Sequence, residues 1–251
     1  MKLSLNNPKL LSDSISIISE LVTDVKFKFD TDKIEMIAMD PANVAMVIFR
    51  MLSSVFTEYK LENPVEIAVN LDSLKQILKR AKPSDYLIIE LDKDKNKLNI
   101  KIKGDSTRSF SIGLIDLGER EHKVPKLNFP LDINLSTHVF DEAIEDVGLF
   151  ADSVVLNVEK DKITIESEGR VNNAKVEVLN NEGTKITWND TDEETAKAKY
   201  SVEYLKKICK ASKLADNVNL QFGTDNPLRV EYKSKDKLDL VFFLAPRVSE
   251  D

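Results

Sequence analysis

Apolar positions along this chain follow two alternating periods. Between residues 8 and 22, Leu11, Ile15, Ile18 and Val22 recur at intervals of three or four, the spacing that lines one face of a helix. The same spacing returns at 137–150 with Phe140, Ile144 and Val147, at 72–82 with Leu74, Ile77, Leu78 and Ala81, and at 202–213 with Leu205 and Ile208. Elsewhere the pattern turns to period two or to β-rich runs, which predicts strands at 25–29, 33–37, 45–49, 86–91, 97–102 and 107–115. A second series follows at 154–158, 162–166, 174–179, 218–222, 228–232 and 238–244. Two helices set among strands, twice over, predict an α+β fold in which each helix pair packs on antiparallel sheets.

The two series are copies of one unit. Residues 74–82 align with 205–213 at an offset of 131, and Leu74, Lys75, Ile77, Lys79 and Lys82 keep their identity, as does Asp85 over Asp216. A second match, 29–34 over 158–163, runs at offset 129, so a two-residue insertion separates the two. At 251 residues each half has the size of a domain. The expected division is a first domain at 1–116, a connector at 117–130 and a second domain at 131–251. The charged run at 118–123, with Pro125 and Pro130 beyond it, discourages regular structure. Val124, Leu127 and Phe129 would be stray apolar residues on such a connector unless it served as a docking surface.

Composition narrows the classes. The chain is 42% apolar and 31% charged, which suits a globular protein rather than a disordered one. Residues 1–9 lack the apolar stretch of a signal peptide, and no run approaches the roughly 18 apolar residues of a membrane helix, so an intracellular, membrane-free location is expected. Cys209 is the single cysteine, which excludes an intrachain disulfide and a thiolate zinc site; beside Leu205 and Ile208 it is expected to be a buried structural thiol.

Little in the chain points to catalysis. His122 and His138 lack metal-ligand spacing, and no Gly-rich phosphate loop or nucleophile motif occurs, so neither enzymatic activity nor a cofactor is expected. The lysines of the second helix in each half carry the stronger signal. Lys75, Lys79 and Lys82, with Arg80 beside them, form a basic stripe opposite the apolar one, and Lys206, Lys210 and Lys213, with Lys207, repeat it. Flexible point charges without aromatic or bidentate readers suit phosphates rather than bases, so the implied binding is sequence-independent and salt-sensitive. Because the formal net charge is −7, that surface must be segregated. The helices differ accordingly: 72–82 and 201–213 each carry +3, 9–20 carries −1, and 137–152 holds five acids and no Lys or Arg.

Several motifs in order resemble the proliferating cell nuclear antigen family of DNA sliding clamps, in its archaeal form. Residues 38–44 (A-M-D-P-A-N-V), 107–110 (T-R-S-F), 114–116 (L-I-D), Pro227-Leu228 with 230–232 (V-E-Y), and 244–247 (L-A-P-R) match family segments across the whole chain. The resemblance implies the DNA clamp fold, two similar domains per chain assembling into a six-domain trimeric ring with helices lining the hole. Twelve helices about 9 Å apart make a circle roughly 35 Å across, leaving a hole near 25 Å once about one helix diameter is subtracted. It implies a processivity factor that encircles duplex DNA and contacts it through Lys75, Lys79, Arg80, Lys82, Arg108, Lys206, Lys207, Lys210 and Lys213.

The family also pairs edge strands between subunits, here 107–115 with 173–180, and seats partner peptides under the connector. Carried over by motif, that pocket involves Met39, Asn43, Val44, Met46, Val124, Pro227, Phe243, Ala245 and Pro246. The implied partners are a replicative polymerase, a clamp loader of the replication factor C type, a flap endonuclease, a DNA ligase and further copies of the chain. The location is cytoplasmic at the nucleoid in an archaeon, or nuclear in a eukaryote. Two positions depart from the family: the acidic 137–152 helix, and His122 where an aliphatic residue is usual. The alternative reading is a subunit of a heterotrimeric or checkpoint-type clamp that acts mainly as a protein-recruiting scaffold.

Overall fold

The computed structural model describes residues 1–118, 122–168, 171–189 and 193–248. The chain forms two compact units, the first from Met1–Pro41, Val47–Val124 and Ser234–Asp239, the second from Ala42–Met46, Pro125–Lys233 and Leu240–Asp251.

The first unit is built from β1 (Lys2–Asn6), α1 (Lys9–Ile18), β2 (Asp24–Phe29), β3 (Lys33–Met39), β4 (Ala45–Leu52), β5 (Glu58–Lys60), β6 (Val65–Asn70), α2 (Leu71–Leu78), β7 (Tyr86–Asp92), β8 (Lys97–Lys103) and β9 (Thr107–Gly113). Strand β4 opens in the second unit and continues into the first. One sheet has the order β5-β1-β7-β8-β9, and the other strands run β4-β3-β2-β6. Registers such as Leu3 opposite Ile89 and Phe27 opposite Met36 keep each strand's apolar residues on one face. Those faces and the apolar stripes of α1 and α2 bury Leu3, Leu11, Ile15, Phe27, Leu74 and Ile89. At the start of α2, the Asn70 side chain accepts a hydrogen bond from the Ser73 N–H, a cap worth about 1 kcal/mol.

The second unit repeats the plan with β10 (Leu131–Ser136), α3 (Thr137–Val147), β11 (Ser153–Glu159), β12 (Lys162–Glu168), β13 (Asn173–Leu179), β14 (Lys185–Trp188), β15 (Thr195–Ser201), α4 (Val202–Cys209), β16 (Asn217–Phe222), β17 (Leu228–Ser234) and β18 (Leu238–Leu244). Its strand orders, β14-β10-β16-β17-β18 and β13-β12-β11-β15, match those of the first unit element for element. Its core gathers Phe140, Ile144, Tyr200, Phe222, Tyr232 and Phe242, with Tyr200–Phe222 and Tyr232–Phe242 packed edge to face. Cys209 is free and buried here.

All four expected helices form, and each is shorter than its apolar period suggests. α2 ends at Leu78 and α4 at Cys209. Beyond α2 the chain tightens into i to i+3 bonds, Arg80 N–H to Ile77 O and Ala81 N–H to Leu78 O; beyond α4 it enters a 3-10 turn over Lys210–Leu214. The tightened turns keep apolar residues inward, so the sequence period runs on past the α-helix. α3 likewise stops at Val147, with Gly148 at its C-cap, and not at 150.

Among the described residues the long uncovered sheet edges are β9 and β13. Each has seven residues and a neighbour on one side only, β8 and β12 respectively. The β6 edge is covered where Ile115 N–H donates to Ala68 O, the β15 edge where Arg247 N–H donates to Lys199 O, and β5 and β14 are short. Among the described residues no helix is long and apolar enough to cross a membrane.

Candidate nucleic-acid interface and partner groove

The basic residues of the first unit divide by what they touch. Only Lys75 lies within α2; Lys79 is its C-cap, and Lys82 stands in the turn beyond, so the expected stripe along a single helix is instead one helical residue followed by two on the tightened turn. Lys75 Nζ lies 3.7 Å from Glu20 Oε1. Lys82 Nζ pairs with Asp105 at 3.0 Å, an exposed contact that raises the ammonium pKa and lowers that of the carboxyl.

Arg108 occupies a different environment. Its Nη2 reaches Asp85 Oδ2 at 2.7 Å and its Nη1 donates to the Arg80 carbonyl at 2.7 Å. Asp85 is 3% exposed and also accepts the Lys82 N–H. Gly104 closes the site, since a Cβ there would stand 2.1 Å from Asp85 Oδ1. The guanidinium that the resemblance places on DNA also ties β9 to the turn after α2.

In the second unit Lys206 and Lys207 lie within α4, Lys210 caps it and Lys213 stands on the 3-10 turn. Lys206 Nζ pairs with Glu145 of α3 at 3.0 Å. Lys207 pairs with Glu203 at 2.7 Å, which lowers the Glu203 pKa, and lies 5.4 Å from the Tyr204 ring centre. Both units therefore present ammonium groups along the second helix, several already neutralised by carboxylates. Point charges of this kind suit weak, sequence-independent contact with phosphates.

The residues expected to hold a partner peptide are less evenly placed. In the second unit Asn43 adopts a left-handed φ of 57°, a conformation Asn tolerates, and turns the chain so that Val44 O accepts the Ala245 N–H at 2.9 Å. Val44, Ala245, Pro246 and Pro227 are half-buried, while Met46 and Phe243 are buried at 6% and 8% exposure. In the first unit Met39 is half-buried near the end of β3 and Val124 is 36% exposed.

A feature missing from that set is a cavity of about 760 Å³ in the second unit, lined by Leu127, Phe129, Pro130, Gln221, Thr224 and Asn226 among others. The end of the connector is pinned against it, the Asn189 N–H donating to Pro130 O at 2.8 Å. Gly223 leaves no room for a side chain, because a Cβ would meet Asn226 Nδ2 at 2.9 Å and Pro130 Cγ at 3.1 Å. The apolar Leu127 and Phe129 were the sequence signal for this site. The polar lining comes from two loops distant in sequence, which no local pattern links. Residues 119–121 of the charged connector run lie outside the described residues.

Comparison with known proteins decides the family. The model of the proliferating cell nuclear antigen N-terminal domain matches residues 1–121, and that of the C-terminal domain matches residues 123–247. The chain belongs to the proliferating cell nuclear antigen (PCNA) family. It is 37% identical to the DNA polymerase sliding clamp of Thermococcus gammatolerans over 243 residues, 96% of each chain. It is 36% identical to that of Nanoarchaeum equitans over 249 residues, 98% of this chain and 99% of the relative. A crystal structure of PCNA from Thermococcus kodakaraensis superposes with a TM-score of 0.89 at 25% identity, covering 98% of this chain and 99% of that one. Two repeated units, four helices and antiparallel sheets are the PCNA fold, and the acidic α3 sits within it.

Proposed function

We propose that this chain is a DNA polymerase sliding clamp that closes head to tail into a homotrimeric ring around duplex DNA. The observation that carries the reading is the pair of uncovered edges. β9 and β13 are equal in length, one ending the five-stranded run of the first unit and the other the four-stranded sheet of the second, and among the described residues each lacks a second neighbour, a combination that favours closure by pairing β9 of one subunit with β13 of the next. Charge supports the same joint. α2 packs against β9 and α3 against β13, so pairing the edges brings the basic α2 turn of one subunit beside Glu142 and Asp146 of the next subunit's α3, Glu145 being held by Lys206 of its own chain. Both complementary surfaces belong to one sequence, which favours identical subunits.

The ring has no catalytic task of its own. It holds DNA by topology, so weak lysine–phosphate contacts at Lys75, Lys79, Lys82, Lys206, Lys207, Lys210 and Lys213 suffice and leave it able to slide. The connector at 117–130, the groove at Val44, Ala245 and Pro246, and the cavity behind Leu127 and Phe129 suit short apolar peptides of a replicative polymerase, a flap endonuclease and a DNA ligase. A replication factor C type loader opens the ring, and in an archaeal cell it works in the cytoplasm at the nucleoid.

The test is retention. After loading onto a nicked circular duplex, the protein should remain through a high-salt wash and leave once the circle is cut. Equal loss from circular and linear DNA at the same salt would reject enclosure.

A further inference from the structure

Equivalent lysines in the two repeats are each held by an acid, and the acids are not equivalent. Lys75 and Lys206 share one position of the 131-residue repeat. Lys75 pairs with Glu20, beyond the end of α1, and Lys206 with Glu145, inside α3. Aligning Leu11, Ile15 and Ile18 with Phe140, Ile144 and Val147 sets Glu20 over Leu149 and Ser16 over Glu145. The same lysine is therefore matched from two different places on the neighbouring helix segment, a coincidence that inheritance of one unit does not supply.

Local packing is adapted to the second pair. The Lys206 stem crosses the end of α3 at Gly148, where a Cβ would stand 2.6 Å from Lys206 Cε and 2.8 Å from Val202 Cγ1. The C-terminus of a helix favours a cation at that spot. Neither pair is sealed from water, since the Glu20 and Glu145 side chains are 28% and 67% exposed, and ion pairs of this kind add little to stability. Lys79, by contrast, meets no acid among the described residues.

We infer that Glu20 and Glu145 serve as internal stand-ins for phosphate, holding Lys75 and Lys206 between the helices until a DNA phosphate takes over the ammonium. They are positioning residues for sliding, and the inference rests on the clamp reading. An ammonium that exchanges a carboxylate for a phosphate changes its surroundings little. The vacated carboxylate draws a cation from solution, which offsets the counterion released from the DNA. Both effects lower drag and flatten the salt dependence of contact.

The experiment uses the full-length chain with Glu20→Gln, Glu145→Gln and the double substitution, checking each for ring mass. Affinity for a short linear duplex is measured against salt, and rings loaded on an end-blocked duplex are tracked for diffusion. The slope of log affinity against log salt should steepen by about 0.9 for each freed lysine that reaches a phosphate, and diffusion should slow. Glu145→Asp, which keeps the charge, should restore the wild-type behaviour at its own site. Unchanged slope and diffusion in intact rings would overturn the inference, and so would loss of ring formation, because the inference gives these acids no part in assembly. Failure of the wild-type ring to stay on the end-blocked duplex would instead remove the clamp reading, and the inference with it.

Discussion

Arg108 shows how far a single residue's role depends on surroundings that sequence does not display. The family resemblance implied a phosphate contact for it, and no local pattern announced the partner that the structure adds, since Asp85 lies 23 residues away and is almost fully buried. Removing the guanidinium leaves that carboxylate with the Lys82 N–H and no hydrogen-bonded cation, so Arg108→Ala should destabilise the chain by about 3 kcal/mol in urea unfolding. Asp141 makes a second residue-scale case. Burial raises its pKa, against the hydrogen bonds from Ser212 and Cys209 and the nearby His138, and Glu145 raises it further. An acid whose folded pKa is raised costs the fold stability as pH climbs through the interval between its unfolded and folded values, and the cost is complete above the folded value. Asp141→Asn should therefore be more stable than wild type at pH 7, with the advantage shrinking as pH falls towards the ordinary value of 3.8. Denaturation midpoints between pH 4 and 8 would check it; a constant difference across that range would contradict it. The thiol of Cys209, by contrast, was legible in advance, because Leu205 and Ile208 share its helix face and burial follows from that face alone.

At the scale of elements, periodicity found all four helices and most strands, and it failed where the signal was short or chemically plain. β5 and β14 have three and four residues, too few to establish alternation. β15 alternates alanine with lysine, and alanine is a poor marker of a strand. β1 and β10, five and six residues long and set just ahead of their helices, were not among the expected strands. Charge was legible in the same way: the −5 of residues 137–152 stood out as a departure from the family pattern, and the proposed subunit joint gives Glu142 and Asp146 a use. If α3 meets the α2 turn of the next subunit, Glu142→Lys with Asp146→Lys should reduce the trimer to monomers at micromolar concentration by sedimentation. Adding Lys79→Glu and Lys82→Glu to the same chain reverses both faces and should bring the trimer back. Trimers that survive the first pair of substitutions would place the joint elsewhere.

The whole molecule adds a constraint that a duplicated sequence hides. Two copies of one unit suggest two domains that part cleanly at the connector, yet each compact unit contains a short segment from the other half. Ala42–Met46 belongs to the second unit, where Val44 accepts a hydrogen bond from Ala245, and Ser234–Asp239 belongs to the first, where Leu52 N–H donates to Lys237 O. A break in the connector therefore severs the covalent link without completing either unit. Limited proteolysis within residues 122–128, all of them exposed, should give a nicked protein that keeps its mass in solution and its cooperative unfolding. Fragments 1–124 and 125–251 made separately should each unfold at a lower denaturant concentration than the nicked protein, because each lacks backbone partners that the other carries. Mixing them should recover the nicked protein's midpoint. If either fragment alone matched that midpoint, the exchanged segments would be ornaments on self-sufficient domains. Recovery on mixing would mean that the duplication supplies the repeated plan while the exchanged segments make the two units one folding unit, as a subunit needs to be when a ring passes load between neighbours.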